Sequence, residues 1–343
     1  MAKAPDQKLK LTYLIRFFER NTDEDHPAGM KDILAYLEAQ GIHAERKSIY
    51  DDIYALSRLG YEVLQTDTRP VAYYLSNRSF ELAELKLLVD AVQSSKFISA
   101  KKTEELIRKL ELLTSKYSEA ALQRQVYNTN RVKTVNETVL YTIDSLHEAI
   151  SQNRRISFHY CEWNLNKELV YRNGGKSYCV DPVALIWDDE NYYLVAYESD
   201  ETRKASEYTE KDIRHYRVDK IRDLSVLDDR RICSAAIGNF RPVEYAKEHF
   251  GMFSGEQESV KLCFEKRLVG VMIDRFGKDI TLMPAEREDY ALARVRVQVS
   301  AQFFGWVTGF GPSVTIEGPD RVKKEYRDFL REILSEYGEL DEA

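Results

Sequence analysis

The segment Asp181–Leu224 constrains the chain most, because aromatic and cationic residues crowd it in the order strand, turn, strand, long excursion, strand. Tyr192, Leu194 and Ala196 alternate with Tyr193, Val195 and Tyr197. Both faces of that strand are apolar, as expected in the middle of a small, closed or nearly closed sheet. Asp188, Asp189, Glu190 and Asn191 supply the polar turn before it. The third stretch, Ile213–Leu224, breaks phase. Tyr216 and Val218 sit two apart and share a face, but Ile221 follows after three, which a regular strand cannot place beside them. A bulge near Asp219 restores the phase and leaves Arg217, Lys220 and Arg222 as an outward cationic rim. Such a rim reads either as a charge-protected sheet edge or as a binding site.

Tyr192-Tyr193-Leu194, preceded by Asp181-Pro182 as a proline-marked strand start, resembles the Trp-Tyr-Leu stretch of the WYL domain. Arg214-His215-Tyr216-Arg217-Val218-Asp219-Lys220-Ile221 is similar to that family's arginine-rich strand, with Lys220 standing where the family has a second arginine. Lysine lacks the planar fork of arginine, so bidentate anion recognition there is weakened. The resemblance implies an Sm/SH3-like small β-barrel that senses an effector. The expected effector is anionic, a short single-stranded nucleic acid or a nucleotide, held by His159, Tyr192, Tyr193, Arg214, Arg217, Lys220 and Arg222. His159, in the strand Ile156-Phe158-Tyr160, also reads as an ordinary strand residue with a satisfied hydrogen bond.

At 343 residues the chain exceeds one comfortable core, and roughly two to four domains are expected. Charged residues make up 31% of it, and no run approaches the roughly eighteen apolar residues of a membrane helix. Met1–Asp6 lacks the apolar core of a signal peptide, so no membrane partner and a cytoplasmic location are expected. Cys161, Cys179, Cys233 and Cys263 are scattered without CxxC or zinc-like pairing, and are expected to be reduced thiols; no metal or cofactor is expected.

Leu11, Leu14, Ile15 and Phe18 recur at helical spacing over Gln7–Arg20; Met30–Gln40 is a second helix, and Glu45–Leu59 a third with Ile49, Ile53, Leu56 and Leu59 as its buried stripe. Two β runs follow, Tyr61–Gln65 and Val71–Leu75. Three helices and a hairpin make the winged helix-turn-helix order, and Arg46-Lys47-Ser48-Ile49-Tyr50-Asp51-Asp52-Ile53 resembles the matching segment of DeoR-like regulators. The resemblance implies binding of double-stranded operator DNA through Arg46, Lys47, Ser48, Tyr50, Tyr54 and Arg69. Asp51 departs from the arginine common there. Over Met1–Ser76 ten Lys and Arg against twelve Asp and Glu leave a net charge of −2, unlike a typical basic DNA-binding module, so a small helical interaction domain is the alternative.

Phe80–Gln93 and Lys102–Tyr117 are helical in period, with Leu82, Leu85, Val89 and Val92 in the first and Leu106, Leu110 and Leu113 in the second; Gln123–Thr138 reads as a loop, and Asn136–Gln152 as a helix. Asn173-Gly174-Gly175-Lys176 is a turn and no phosphate loop, because no helix follows it. From Glu258 to Tyr337 strand and helix alternate as βαββαβ followed by a last helix, the order of a ferredoxin-like fold. Phe304-Gly305-Trp306-Val307, Gly309-Phe310-Gly311 and Gly318-Pro319 resemble the WCX module.

The expected class is α+β multidomain: a winged helix-turn-helix over 1–76, a helical linker over 77–135, a WYL domain over 136–230 and a WCX module over 240–338. Together these resemblances imply a homodimeric, ligand-responsive transcriptional regulator. A nucleic-acid-binding accessory protein without operator specificity is the alternative. No enzyme is expected, since there is no nucleophile elbow, no HExxH and no glycine pair opening a helix.

Overall fold

Apolar residues at helical spacing, Leu14 and Phe18 foremost, bury one side of α1 (Gln7–Asn21) and start the first core. The structure, a computed structural model, describes residues 7–122, 133–188, 190–198, 204, 207–232 and 240–338. Met1–Asp6, most of the loop expected over Gln123–Thr138, Asp189 and Cys233 therefore lie outside the described residues. The chain separates into two compact units, Met1–Glu137 and Thr138–Ala343.

In the first unit α1 is followed by β1 (Ala28–Gly29), α2 (Met30–Ala39), α3 (Arg46–Arg58), β2 (Val63–Gln65) and β3 (Ala72–Leu75). The strands form an antiparallel sheet in the order β1-β3-β2, with Ala28 opposite Tyr73 and Val63 opposite Leu75. The two-residue β1 has no apolar alternation and was not legible in the sequence. Leu14, Phe18, Ile33, Leu37, Ile49 and Leu56 fill the space between helices and sheet. Leu59 does not join them. It is 65% exposed, because α3 stops at Arg58 and the chain turns away before the stripe is completed. Next come α4 (Leu82–Ser94), α5 (Ala100–Glu111) and α6 (Glu119–Leu122), where Ile107 and Leu110 pack against Leu85 and Val89. α5 is shorter than its periodicity suggests. Beyond Glu111 the chain forms turns, Ser115 is buried against Asp23, and Leu113 is left exposed.

The second unit starts with α7 (Val139–Ser151) and six antiparallel strands: β4 (Arg154–Trp163), β5 (Leu169–Tyr171), β6 (Ser177–Asp188), β7 (Asn191–Glu198), β8 (Ile213–Arg217) and β9 (Ile221–Arg230). Pairing runs β5-β4-β6-β7-β8, with β9 also on β4. The phase break is resolved by a 3-10 turn over Val218–Lys220 in place of a bulge. That turn sends the chain from the β7 edge to the β4 edge, so β8 and β9 are separate strands with no ladder between them. The expected barrel is consequently a curled sheet that hydrogen bonds do not close. Asp181-Pro182 lies inside β6 instead of starting a strand; proline has no N–H to give, and the register shifts between Pro182 and Ala184. As the alternation required, β7 is buried on both faces. Leu194 and Ala196 join Phe158, Tyr216, Val218 and Ile221 inside the curl, while Val195 and Tyr197 join Ile213, Tyr208 and Met252 outside it.

After α8 (Pro242–Glu248) come β10 (Glu256–Glu265), α9 (Val269–Phe276), β11 (Thr281–Pro284), β12 (Tyr290–Val299), α10 (Ala301–Thr308), β13 (Val314–Gly318) and α11 (Asp320–Glu336). The βαββαβ alternation is present, with an antiparallel sheet in the order β11-β12-β10-β13. Val260, Leu262, Phe264, Val295, Val297, Phe303 and Val307 form its core. Gly255 precedes β10 where a Cβ would meet the Val299 carbonyl oxygen at 1.9 Å, so only glycine lets the chain enter this sheet.

Candidate functional site

Two surfaces gather the residues singled out in the sequence. On α3, Arg46, Tyr50 and Tyr54 follow one another at intervals of four and share one exposed side. The Arg46 Nε donates to the Tyr50 hydroxyl at 2.9 Å, and this bond holds the phenol below its usual pKa. Lys47 and Asp51 lie beside them, exposed, and Arg69 is exposed in the turn between β2 and β3. Ser48 faces the other way. It accepts a hydrogen bond from Lys10, whose ammonium also pairs with Asp52 at 2.6 Å. Ser48 is thereby committed to the joint between α1 and α3. The remaining five expected residues stay open to solvent, and Asp51 is exposed on the same helix as an opposing charge.

The second surface is built on β4, β7, β8 and β9. His159 lies opposite Arg222 in the β4/β9 ladder, and Tyr193 opposite Arg217 in the β7/β8 ladder. Tyr192 and Tyr193 are neighbours on one strand and so point to opposite faces. Tyr192 stays with Trp187, ring centroids 5.0 Å apart. Arg214 pairs with Ala196 in register, on the face opposite to Arg217, and donates to the carbonyls of Lys211 and Ile213 at 2.9 and 3.0 Å. Tyr192 and Arg214 are thus not part of the cluster.

The cations that do gather are mostly occupied. Arg217 makes a bidentate pair with Asp219 at 3.0 and 2.9 Å, while its backbone N–H donates to the Tyr160 hydroxyl at 3.0 Å. Burial pulls the Arg217 guanidinium down, but the Asp219 carboxylate outweighs it and holds the pKa above the usual value. Burial pushes the Tyr160 phenol up to about 12. Arg222 donates to the carbonyls of Asp219 and Ile221, both at 2.9 Å. Asp223 reaches His159 Nδ1 at 3.2 Å and accepts from the Tyr171 hydroxyl at 2.9 Å, a bond that raises the Tyr171 pKa. The Tyr171 and His159 rings lie 5.1 Å apart. Lys220, half-buried in the 3-10 turn, has no hydrogen-bond or ion-pair partner among the described residues.

Asp219, Asp223, Tyr160 and Tyr171 were missed by sequence reasoning. The Arg217-x-Asp219 spacing could have revealed one of them; Asp223 and Tyr171 come together only across 52 residues of chain. Chemically the rim offers three cations tempered by two carboxylates and flanked by aromatic rings. An incoming anion meets Lys220 directly and must share Arg217 with Asp219. Among the described residues no group of three or more His, Cys, Asp or Glu suits a metal ion, and no helix is long and apolar enough to cross a membrane.

Residues 141–226 match the WYL domain family and residues 256–334 the WCX domain family, so the chain carries both domains. No curated protein matches the chain. Among solved structures, proteasome accessory factor B/C (PafBC) of Arthrobacter aurescens is similar at 18% identity and a TM-score of 0.27, over 96% of this chain and 49% of that one. The chain therefore spans about half the length of that protein. A CRISPR Cas-related protein is similar at 15% identity and a TM-score of 0.34, over 98% of this chain and 87% of that one. At these scores neither likeness bears on function.

Proposed function

We propose that the chain is a ligand-responsive transcriptional regulator in which residues 1–76 act as a winged helix on operator DNA. The observation that carries this reading is the open side of α3, where Arg46, Lys47 and Tyr54 are exposed and Tyr50 is held between Arg46 and Tyr73. A helix so presented enters a major groove, and the hairpin meets the phosphate backbone. The linker over 77–135 and the WCX module over 240–338, ferredoxin-like in strand order, serve a homodimer; Leu87, 70% exposed on α4, offers apolar surface for it. The WYL domain over 136–230, an open SH3-like sheet, holds an anionic effector on the Lys220, Arg217 and Arg222 rim. The protein is a cytoplasmic binding protein and no enzyme.

The deciding experiment is a gel shift with the upstream region of its own gene, at fixed salt. Arg46→Ala should cost about 1–3 kcal/mol of binding if Arg46 reads a guanine edge. Equal affinity of mutant and parent for every duplex would remove α3 from the interface. Asp51, exposed on the same helix, favours a second reading as an accessory protein with weak, nonspecific affinity. In that case the parent itself shows no preference among duplexes. For the effector, labelled oligonucleotides and nucleotides are titrated into the full chain and into an Arg217→Ala, Lys220→Ala double mutant. Binding that ignores both the mutations and the ionic strength would make the rim a protected sheet edge.

A further inference from the structure

The βαββαβ sheet ends on β13, which pairs with β10 alone, so its other edge has no strand beside it among the described residues. Such an edge presents a row of backbone N–H and C=O groups, and proteins usually block it with proline, with several charges or with a bulge. Val314–Gly318 has no proline and one charge, Glu317. The irregularity in the β10/β13 register lies between Lys261 and Leu262, toward the Gly318 end, and leaves Val314–Ile316 in regular pairing. Ile316 turns into the core, which puts Glu317 on the opposite face.

A cavity of about 400 Å³ lies along this edge, lined by Thr315 and Ile316 on β13 and by Lys323, Arg327 and Leu330 on α11. Residues late in α11 share it with Thr315, so the helix folds back and runs antiparallel to β13. Phe304 holds the helix there, its ring 5.3 Å from that of Tyr326 and 5.4 Å from that of Phe329. Lys323, Arg327 and Leu330, spaced four and three apart, form a separate stripe on the flank that meets the edge. Arg321 and Arg331 of the same helix each have a carboxylate partner, at 2.6 and 3.5 Å. The side chains of Lys323 and Arg327 make no ion pair and no hydrogen bond among the described residues. The one carboxylate of the lining, Asp320, sits in the first turn of α11, where the helix N-terminus favours it, and the groove keeps an excess of positive charge.

We propose that this edge takes up an extended acidic peptide of a partner protein as a further antiparallel strand, with two of its carboxylates on Lys323 and Arg327. The spacing fits: four residues of helix rise about 6 Å, and alternate residues of a strand lie about 6.6–6.8 Å apart. Carboxylates two positions apart therefore meet one cation each. Antiparallel addition continues the pairing of the whole sheet and sends the peptide in the same direction as α11. Its order is then acidic, any, acidic, any, apolar, with the apolar side chain beyond Arg327 against Leu330. Backbone pairing supplies affinity in such an arrangement, and the alternate side chains supply selectivity. The five residues of β13 match the length of that segment. The site is separate from α3 and from the Arg217 rim, and it stands whether or not the chain binds DNA.

The test is fluorescence anisotropy of a labelled peptide with blocked ends, Thr-Glu-Thr-Glu-Thr-Leu-Thr, titrated into the full chain at fixed salt. It should bind, and the Lys323→Glu, Arg327→Glu double variant should weaken it about tenfold or more. A second measurement leaves the protein untouched. One copy of the peptide is methylated on the backbone nitrogens of its threonines and another on those of its glutamates and leucine, which covers both phases of a strand. Every side chain is kept, yet one of the two copies should lose binding, because a methylated nitrogen cannot donate to β13. Full binding of both copies would mean that charge alone holds the peptide, and the proposal falls. No binding at millimolar concentration, or equal binding of a peptide with lysine in place of both glutamates, would also overturn it. A short single-stranded oligonucleotide that binds more tightly than the peptide and is lost in the double variant would make the groove a nucleic-acid site instead.

Discussion

The exposed side of α3 and the β8/β9 region of the WYL domain are both rich in cations, but they hold them differently. Among the described residues Lys47 and Arg69 stand in solvent without carboxylate partners, and Arg46 bonds a tyrosine hydroxyl. On β8 and β9, Arg217 is clamped by Asp219, Arg222 is spent on two carbonyls, and His215 is enclosed beside Tyr245 and His249. Free charges on α3 suit a partner that supplies its own dense counter-charge. Charges already paired on the sheet suit a ligand that competes for them, and they also stabilise the fold. Substitutions should therefore act on binding in the first region and on stability in the second.

The largest effect is expected from acid. Burial, with His249 and Arg214 nearby, lowers the His215 pKa from 6.5 to about 3. Between those values the unfolded chain binds a proton that the folded one refuses, so stability is complete above pH 6.5 and falls as the pH drops toward 3. The loss should be on the order of a few kcal/mol near the bottom of that window. Urea unfolding across the window should show a shallower decline for His215→Gln than for the parent; parallel curves would mean His215 is not enclosed. Next, Asp219→Ala should cost about 1–3 kcal/mol of stability by stranding a half-buried guanidinium. If urea midpoints show no change, the clamp contributes nothing and the contrast between the regions collapses.

On α3 the same kinds of change should leave stability within about 0.5 kcal/mol, as for exposed sites generally. Asp51→Asn should tighten DNA binding measured by anisotropy, since it removes a carboxylate from the approach to phosphates; weaker binding would show Asp51 making a favourable contact. The smallest effect is that of Lys47→Ala. It should lower affinity for all duplexes alike and reduce the salt slope by about one, the mark of a lost phosphate contact. A sequence-dependent loss would instead place Lys47 on a base edge.

What the sequence determined by itself is local. Helical period set α1 to α3, strict alternation set β7 as a strand buried on both faces, and the strand and helix order from β10 to α11 could be read directly, because each depends on residues close in the chain. The broken phase at Val218–Ile221 announced that the strand could not continue. Whether a bulge or a change of sheet edge would resolve it depended on β4, whose Ile156 pairs with Val226 across 70 positions. Tertiary structure alone decided that Ser48 meets Lys10 and leaves the open face, and that Asp223 and Tyr171 stand against His159. Side-chain partners are set by register and by elements that meet from far along the chain, and a one-residue change in register or helix end reassigns all of them at once.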